Sequence, residues 1–319
     1  MAGNTDLQNL QVQRVVSKLA FGVTGEQDYI AERALPPVDA GSMNFSYSKW
    51  GNEGLRDVDT RRGLNAEPAK ITIASGTGTG ELEEHTIETY YDINRLRAAE
   101  EAGNGDLFRA AHVGAVKSLV QIQKEKAVAT VLFTGANYGS NTASNVNFSS
   151  TGIRDVILAA KDARQQATGR RIGKMVVGQV THRFLLKNAD IIDLLKNRFQ
   201  GNLSTHQTIA EYLELDEYLV GSAQTQASAA AGSAGTATAI WTADVAALYA
   251  SDPAEGGSTV SQAFAKLFTM NSPLSGSRAV VKTWVPDPGL LEHALYSEHF
   301  AALQTFSAAG YLWTNTDQV

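Results

Sequence analysis

Between residues 104 and 133, apolar side chains recur at helical spacing for longer than anywhere else in the chain. Phe108, Ala111, Ala115, Leu119 and Ile122 form one row, and Val113, Val116, Val120 and Ala127 form a second beside it. Arg109, His112, Lys117, Lys124 and Lys126 fall largely outside both rows. A stripe this broad predicts a core helix. Asp106 is the expected N-cap and Gly135 the expected stop. About 24 helical residues would span about 36 Å, enough to cross a domain.

Upstream the period changes. Residues 7–23 carry Leu7, Leu10, Val12, Val15, Val16, Leu19 and Phe21. They read as a short amphipathic helix, or as an arm whose apolar partner lies on another chain. Residues 29–34 read as a short helix, which Pro36 and Pro37 break. Met43, Phe45 and Tyr47 then alternate with Asn44, Ser46 and Ser48, the period of a strand. Residues 51–68 are glycine-rich, charged and aperiodic. Strands are expected again at 70–74 and 83–93, the latter with Ile87, Tyr91 and Ile93 on one face. A long two-stranded excursion of this kind is marginal alone in water and must lie on a surface of this chain or of a neighbour.

Downstream, a polar loop at 135–147 precedes a second amphipathic helix marked by Ile153, Val156, Ile157 and Ala160, capped near Ser150 and stopped by Gly169. A strand at 174–178, short helices at 181–186, 188–199 and 208–213, and a strand at 215–221 follow. Residues 223–239 hold only Ala, Gly, Ser, Thr and Gln, which predicts a mobile loop or hairpin tip. Strands are expected at 239–249, with Trp241, Val245 and Leu248, and at 279–285. The stretch 290–315 is ambiguous. Leu291, Ala294 and Leu295 suggest a helix, whereas Gly310, Tyr311, Leu312 and Trp313 suggest a strand end. Helices and strands mix without regular βαβ alternation, so the class is α+β.

The 319 residues allow one large domain or two smaller ones. A net charge of −6 argues against a protein whose main task is gripping nucleic acid, because that needs a basic patch to neutralise phosphates. A neutral surface that merely faces nucleic acid remains open. Without cysteine there is no disulfide, thiol nucleophile or thiolate metal site, which fits assembly in a reducing compartment. No run is long and apolar enough to cross a membrane, and the first residues lack the features of a signal peptide, so a cytosolic product is expected.

The search for chemistry yields no site. Gly76, Gly78 and Gly80 alternate with threonine after an apparent strand, but Glu81, Glu83 and Glu84 follow where a phosphate would sit. A flexible turn is the expectation there. His85, His112, His182, His206, His293 and His299 form no ligand pair on one helix face. No GxSxG elbow exists. The pairs Asp190/Asp193 and Glu211/Glu214 are ordinary for helix surfaces. No catalytic residue, metal or cofactor is assigned; catalytic groups far apart in sequence stay open at this point, and it is the resemblance described next that implies a protein that is not an enzyme.

Taken in order, these pieces resemble the major capsid proteins of tailed bacteriophages over roughly residues 29–315. The resemblance starts at Tyr29-Ile30-Ala31-Glu32-Arg33-Ala34-Leu35-Pro36 and the alternating Phe45-Ser46-Tyr47. It continues through the helix at 106–133 and the segments 182–192, 209–215 and 218–223. Ile240-Trp241, Ala247-Leu248-Tyr249 and Ala309-Gly310-Tyr311-Leu312-Trp313-Thr314-Asn315 complete it. The fold, shared with encapsulin shells and the herpesvirus capsid floor, implies an N-terminal arm at 1–41 and an extended β-hairpin loop at 42–95. It further implies a peripheral domain with a spine helix at 96–149, an axial domain at 150–262, and the closing strands of the peripheral domain at 263–319. It resolves the ambiguous tail toward strand.

The implied function is that of a structural subunit of an icosahedral capsid, forming pentamers and hexamers around double-stranded DNA held on the inner face without sequence specificity. The implied partners are the chain itself, a separate scaffolding protein and a portal, with no membrane, and the implied location is the virion, assembled in the host cytoplasm. A separate scaffold is expected because no long charged helical extension precedes residue 1, unless one has been removed. No lysine and asparagine pair for crosslinking stands out, although Lys49 and Lys70 lie near the loop. An encapsulin-like nanocompartment shell, or a soluble α+β enzyme with dispersed catalytic residues, are the alternatives.

The loop at 51–68 is long for a plain connection, and such loops tend to be functional. It carries Arg56, Arg61 and Arg62 among Glu53, Asp57, Asp59 and Glu67, with Trp50 at its start. Arginine pairs with carboxylates in bidentate fashion and is enriched at interfaces. Trp50, Arg56, Arg61, Arg62 and Glu67 are therefore the expected intersubunit contact.

Overall fold

The computed structural model describes residues 28–50, 61, 75–198, 205–226, 236–251, 262–272, 276–286 and 290–317. In chain order the first elements are α1 (Ala31–Ala34), β1 (Pro37–Asp39), β2 (Asn44–Trp50), β3 (Ser75–Glu81), β4 (Glu83–Asp92), α2 (Ile93–Glu101) and α3 (Gly105–Phe133). A 3-10 turn and β5 (Thr142–Ser144) lead to α4 (Ile153–Thr168), β6 (Lys174–Gly178), α5 (Gln179–Lys187), α6 (Ala189–Arg198), α7 (Thr205–Tyr212) and β7 (Glu217–Gly221). Next come β8 (Gln224–Gln226), β9 (Ala237–Ala239), β10 (Ala246–Tyr249), β11 (Ala265–Thr269), β12 (Ala279–Trp284), β13 (Leu291–Gln304) and β14 (Gly310–Thr314).

Two five-stranded sheets organise these elements. In the first, β13 is central. Its residues 291–300 pair antiparallel with β4 on one edge, while β12 and β11 lie end to end along the other, and β1 runs parallel outside β11. The second sheet has the order β5-β14-β10-β6-β7, with β6 and β7 parallel. Helix α3 packs against strands of both sheets, and one continuous apolar cluster joins them.

The long period is a helix, but it differs from the expectation in three ways. It runs 29 residues, starts at Gly105 with Asn104 as its N-cap, and ends at Phe133 with Thr134 as its C-cap. Asp106 therefore sits inside the first turn, where a carboxylate favours the helix dipole. Val113, Val116 and Val120 are buried as one row, continued by Val128 and Leu132. Ala111, Ala115 and Leu119, assigned to the other row, face outward. The sheets cover only one side of the helix, and the β-branched row takes it.

The glycine stretch at 76–80 is not a turn. It is strand β3, paired antiparallel with β2 so that Gly78 lies opposite Tyr47 and Gly80 opposite Phe45. A Cβ on Gly78 would stand 2.5 Å from Tyr47 Cζ, and one on Gly80 2.6 Å from Phe45 Cζ and 2.7 Å from a methyl of Leu303. The two rings thus lie across the bare backbone of their partner strand. Both also pack on Phe268 of β11, with centroids 4.5 and 5.5 Å away. Val38, Phe45, Tyr47, Leu82 and Phe268 form a second, smaller core at this root. The excursion is therefore β2 and β3, resting on this chain at its base, while β4 returns to the main sheet.

Other expectations shift similarly. Helix α2 went unread, although Asp92 caps it by accepting from the Asn94 amide at 2.7 Å. Strand β11 was also missed, a short all-buried run that includes Lys266. The strand expected at 239–249 is ordered as β10 only from Ala246, because Trp241 leaves the strand path to enter the core. Helix α4 is preceded by Gly152 rather than capped near Ser150, and Gly169 ends it in the left-handed region. Within 223–239, β8 and β9 pair antiparallel as the feet of a hairpin. The segments 7–23 and 70–74 and the tip at 227–235 lie outside the described residues. The tail is strand, as the resemblance implied, and the apparent helical period of Leu291 to Leu295 lies on β13.

Two adjacent charges on α3 are fully buried. Lys124 donates to Glu298 of β13 at 2.6 Å and to Glu32 of α1 at 2.7 Å, and its ammonium lies 5.6 Å from the Phe300 ring centroid. The charge and hydrogen bond of Lys124 hold the Glu32 carboxyl below its usual range, although burial alone would raise it. Glu125 turns the other way. It accepts the Ala31 amide at 2.6 Å and the Trp241 indole N–H at 2.7 Å. The arm, the helix, the central strand and the Trp241 segment therefore meet at one helical position.

Two outcomes follow for stability. Gly80→Ala should lower the unfolding free energy by about 1–3 kcal/mol through overpacking, whereas Gly76→Ala, whose Cβ would meet nothing closer than 3.4 Å, should be neutral or slightly stabilising. Urea titration of the subunit checks both. Lys124→Met should cost about 3–5 kcal/mol because it strands the buried Glu298, and Lys124→Met combined with Glu298→Gln should recover most of that. Equal losses in the single and double variants would show that the stranded charge is not the cause.

Candidate assembly surface

Chemistry-bearing side chains are dispersed through the packing. His85 stacks on Phe300 with centroids 3.9 Å apart, and burial lowers its pKa. His112 contacts the Phe108 carbonyl at 2.9 Å. His182 contacts the Tyr218 hydroxyl at 2.9 Å, and burial with the neighbouring His206 holds its pKa down at about 4. His293 bonds Glu88 and stacks under Trp284. Among the described residues no three His, Asp or Glu side chains are grouped to hold a metal. Glu214 bonds Arg154 at 3.0 Å, tying the end of α7 to α4.

A cleft of about 990 Å³ opens between the arm and the β6–β7 side of the second sheet. Its walls are charged, but the charges answer one another. Glu217 pairs with Arg33 at 3.0 Å and with Lys174 at 3.0 Å, and Asp216 pairs with Arg171. Arg33–Glu217, with the Lys174 ammonium donating to the Arg33 carbonyl at 2.5 Å, binds the arm to the sheet, while Arg171–Asp216 ties together the segments that lead into β6 and β7.

The five residues expected at an intersubunit contact divide unevenly. Trp50 is the last residue of β2, its backbone paired with Ser75. Arg61 is exposed. Arg56, Arg62 and Glu67 lie outside the described residues. The root of the excursion is thus placed, and it leads away from a packed aromatic base toward the charged segment.

A second surface was not anticipated from the sequence. Tyr90, Trp284, Val285, Leu290 and Leu291 are exposed, Leu290 by 73% and Tyr90 by 65%. They gather where β4, β12 and β13 end together. The register sets Trp284 opposite His293 and His293 opposite Tyr90, so three rings cross the sheet in a row. Ring centroids are 5.4 Å apart between Trp284 and His293, and 6.1 Å between His293 and Tyr90. Exposed apolar side chains concentrated in this way are a candidate contact surface. The only sequence signal was Trp284-Val285 at the end of an expected strand, and nothing there revealed that Tyr90, nearly two hundred residues earlier, lies two strands away.

No protein-family model matches the chain, and no curated protein matches it by sequence. Solved structures do match. A phage-related protein from Bordetella bronchiseptica RB50 superposes with a TM-score of 0.73 at 16% identity, covering 96% of this chain and 98% of that one. The putative capsid protein of a prophage from E. coli CFT073 gives 0.53 at 11% identity, with 96% and 98% covered. The capsid of cyanophage P-SCSP1u gives 0.53 at 8% identity, with 92% and 89% covered. Identities this low carry architecture alone, but they carry it from one end of the fold to the other. The long helix, the two sheets sharing the C-terminal tail and the paired strands β2 and β3 make up the α+β major-capsid fold of these phage structures.

Proposed function

We propose that this chain is the structural subunit of an icosahedral bacteriophage capsid, assembling into pentamers and hexamers that enclose double-stranded DNA. The observation that supports this most is the whole-length likeness to phage capsid structures. A shell subunit needs surfaces for its own copies, and this reading assigns two: the charged segment 51–68, and the apolar corner around Trp284. Closed assemblies use heterologous contacts whose rotations close, so each surface meets a different patch on a neighbour. A hairpin that reaches onto that neighbour adds area beyond flat side-to-side contact. On this reading residues 1–41 are the arm, 42–95 the extended loop, 96–149 and 263–319 the peripheral domain, and 150–262 the axial domain. No residue has a catalytic role. A separate scaffolding protein and a portal complete the assembly in the host cytoplasm, and the virion capsid is where the chain resides.

Expression with the neighbouring assembly genes, followed by size-exclusion chromatography and electron microscopy, should yield closed shells with fivefold and sixfold capsomers. Small soluble oligomers under every such condition would overturn the proposal. The two surfaces are tested separately. Changing Arg56, Arg61 and Arg62 to Glu, or Trp284 and Leu290 to Ser, should leave the subunit folded by circular dichroism while lowering shell yield or heat resistance. A variant that assembles into shells as heat-resistant as the parent removes its surface from the set of contacts.

A further inference from the structure

Glu125 is a fully buried carboxylate that touches no cation among the described residues. Lys124, its neighbour on α3, is engaged by Glu298 and Glu32 on the adjoining side. Around Glu125 stand neutral donors instead: the Ala31 amide, the Ile30 amide and the Trp241 indole N–H. The ionisable groups that face it from the arm are Asp28 and Tyr29, both of which become more negative as they ionise. The arm segment it holds is itself deeply seated, with Ile30, Ala31, Ala34 and Leu35 all buried and Pro36-Pro37 just beyond.

We infer that Glu125 makes the seating of the arm pH-sensitive, holding residues 29–35 more firmly against α3 at mildly acidic than at mildly alkaline pH. The physical basis is that seating the arm removes this carboxylate from water without supplying an opposite charge, which favours the neutral acid. The hydrogen bonds pull the other way but do not cancel burial, and the Glu125 pKa is pushed up to about 7 from an ordinary value of 4.5. When the arm lifts, the carboxyl meets water and its ordinary value returns. The seated state therefore binds the proton more tightly. Its advantage is complete below pH 4.5 and is lost as pH rises through 7. The inference concerns the subunit itself and does not depend on what the subunit builds.

Hydrogen exchange of the Ile30, Ala31, Ala34 and Leu35 amides in the full chain, corrected for intrinsic rates, tests it. Local opening should be roughly 30-fold more frequent at pH 8 than at pH 5.5, as the two proton affinities require. Glu125→Gln keeps an acceptor for the arm amides and should flatten this dependence to within about twofold. Trp241→Phe removes one donor and should keep the dependence, with its midpoint moved upward. A parent whose arm opening is flat between these pH values overturns the inference, whether or not the variants fold. So does a Glu125→Gln chain that retains the full slope, since the histidines would then be its source.

Discussion

The middle of α3 has to satisfy two demands at once. It must bury an apolar row between two sheets, and it must carry an ammonium and a carboxyl group into that same dry space. Lys124 and Glu125 are consecutive, so the helix points them to different neighbours, one toward β13 and α1 and the other toward α1 and Trp241. The ammonium cannot be left unpaired at that depth without a cost of several kcal/mol, and the carboxyl needs its hydrogen-bond donors. The arm, the central strand and the Trp241 segment are therefore fixed relative to one another by a single turn of helix. Apolar packing alone would tolerate sliding among these pieces, whereas directional bonds of 2.6–2.7 Å do not.

This arrangement explains which parts of the structure were legible in the sequence. Period and punctuation are local, so α3, α4, β6, β7 and β12 fall close to where the patterns put them. What failed was long-range. Nothing local to Lys124 announces that it is buried, yet it is, because Glu298 arrives from 174 residues away to pair with it. The glycines of β3 read as a turn because the rings that require them belong to another strand. Residues 263–269 carry a short apolar run, and helix α2 sits on a polar stretch held by Arg109, which reaches Glu100 and Glu292. Such elements are stabilised by partners, not by their own period.

The candidate surfaces show the same division. The charged segment at 51–68 stands out because composition alone marks it as irregular and rich in paired charge. The apolar corner cannot be read from the sequence, because it exists only when the end of β4 comes to lie beside the connection between β12 and β13, nearly two hundred residues later. Resemblance supplied the order of the pieces and resolved the tail where periodicity misled. It did not supply the corner, the buried carboxylate or the aromatic root of the hairpin, which belong to this chain's own side chains.

The two sheets have one more property in common: the segment 291–314 supplies the middle strand of the first and an inner strand of the second. A ribosome makes that segment after everything it holds. While the preceding residues emerge, the valine row of α3 has no sheet to cover it, and β4, β11 and β12 have no common partner. Long-range pairing of this kind is slow and leaves apolar surface open in the meantime. A chain interrupted before residue 291 would lack the central strand of the first sheet and the β14 strand of the second, leaving β4 and β12 without their partner and β10 paired on one edge only.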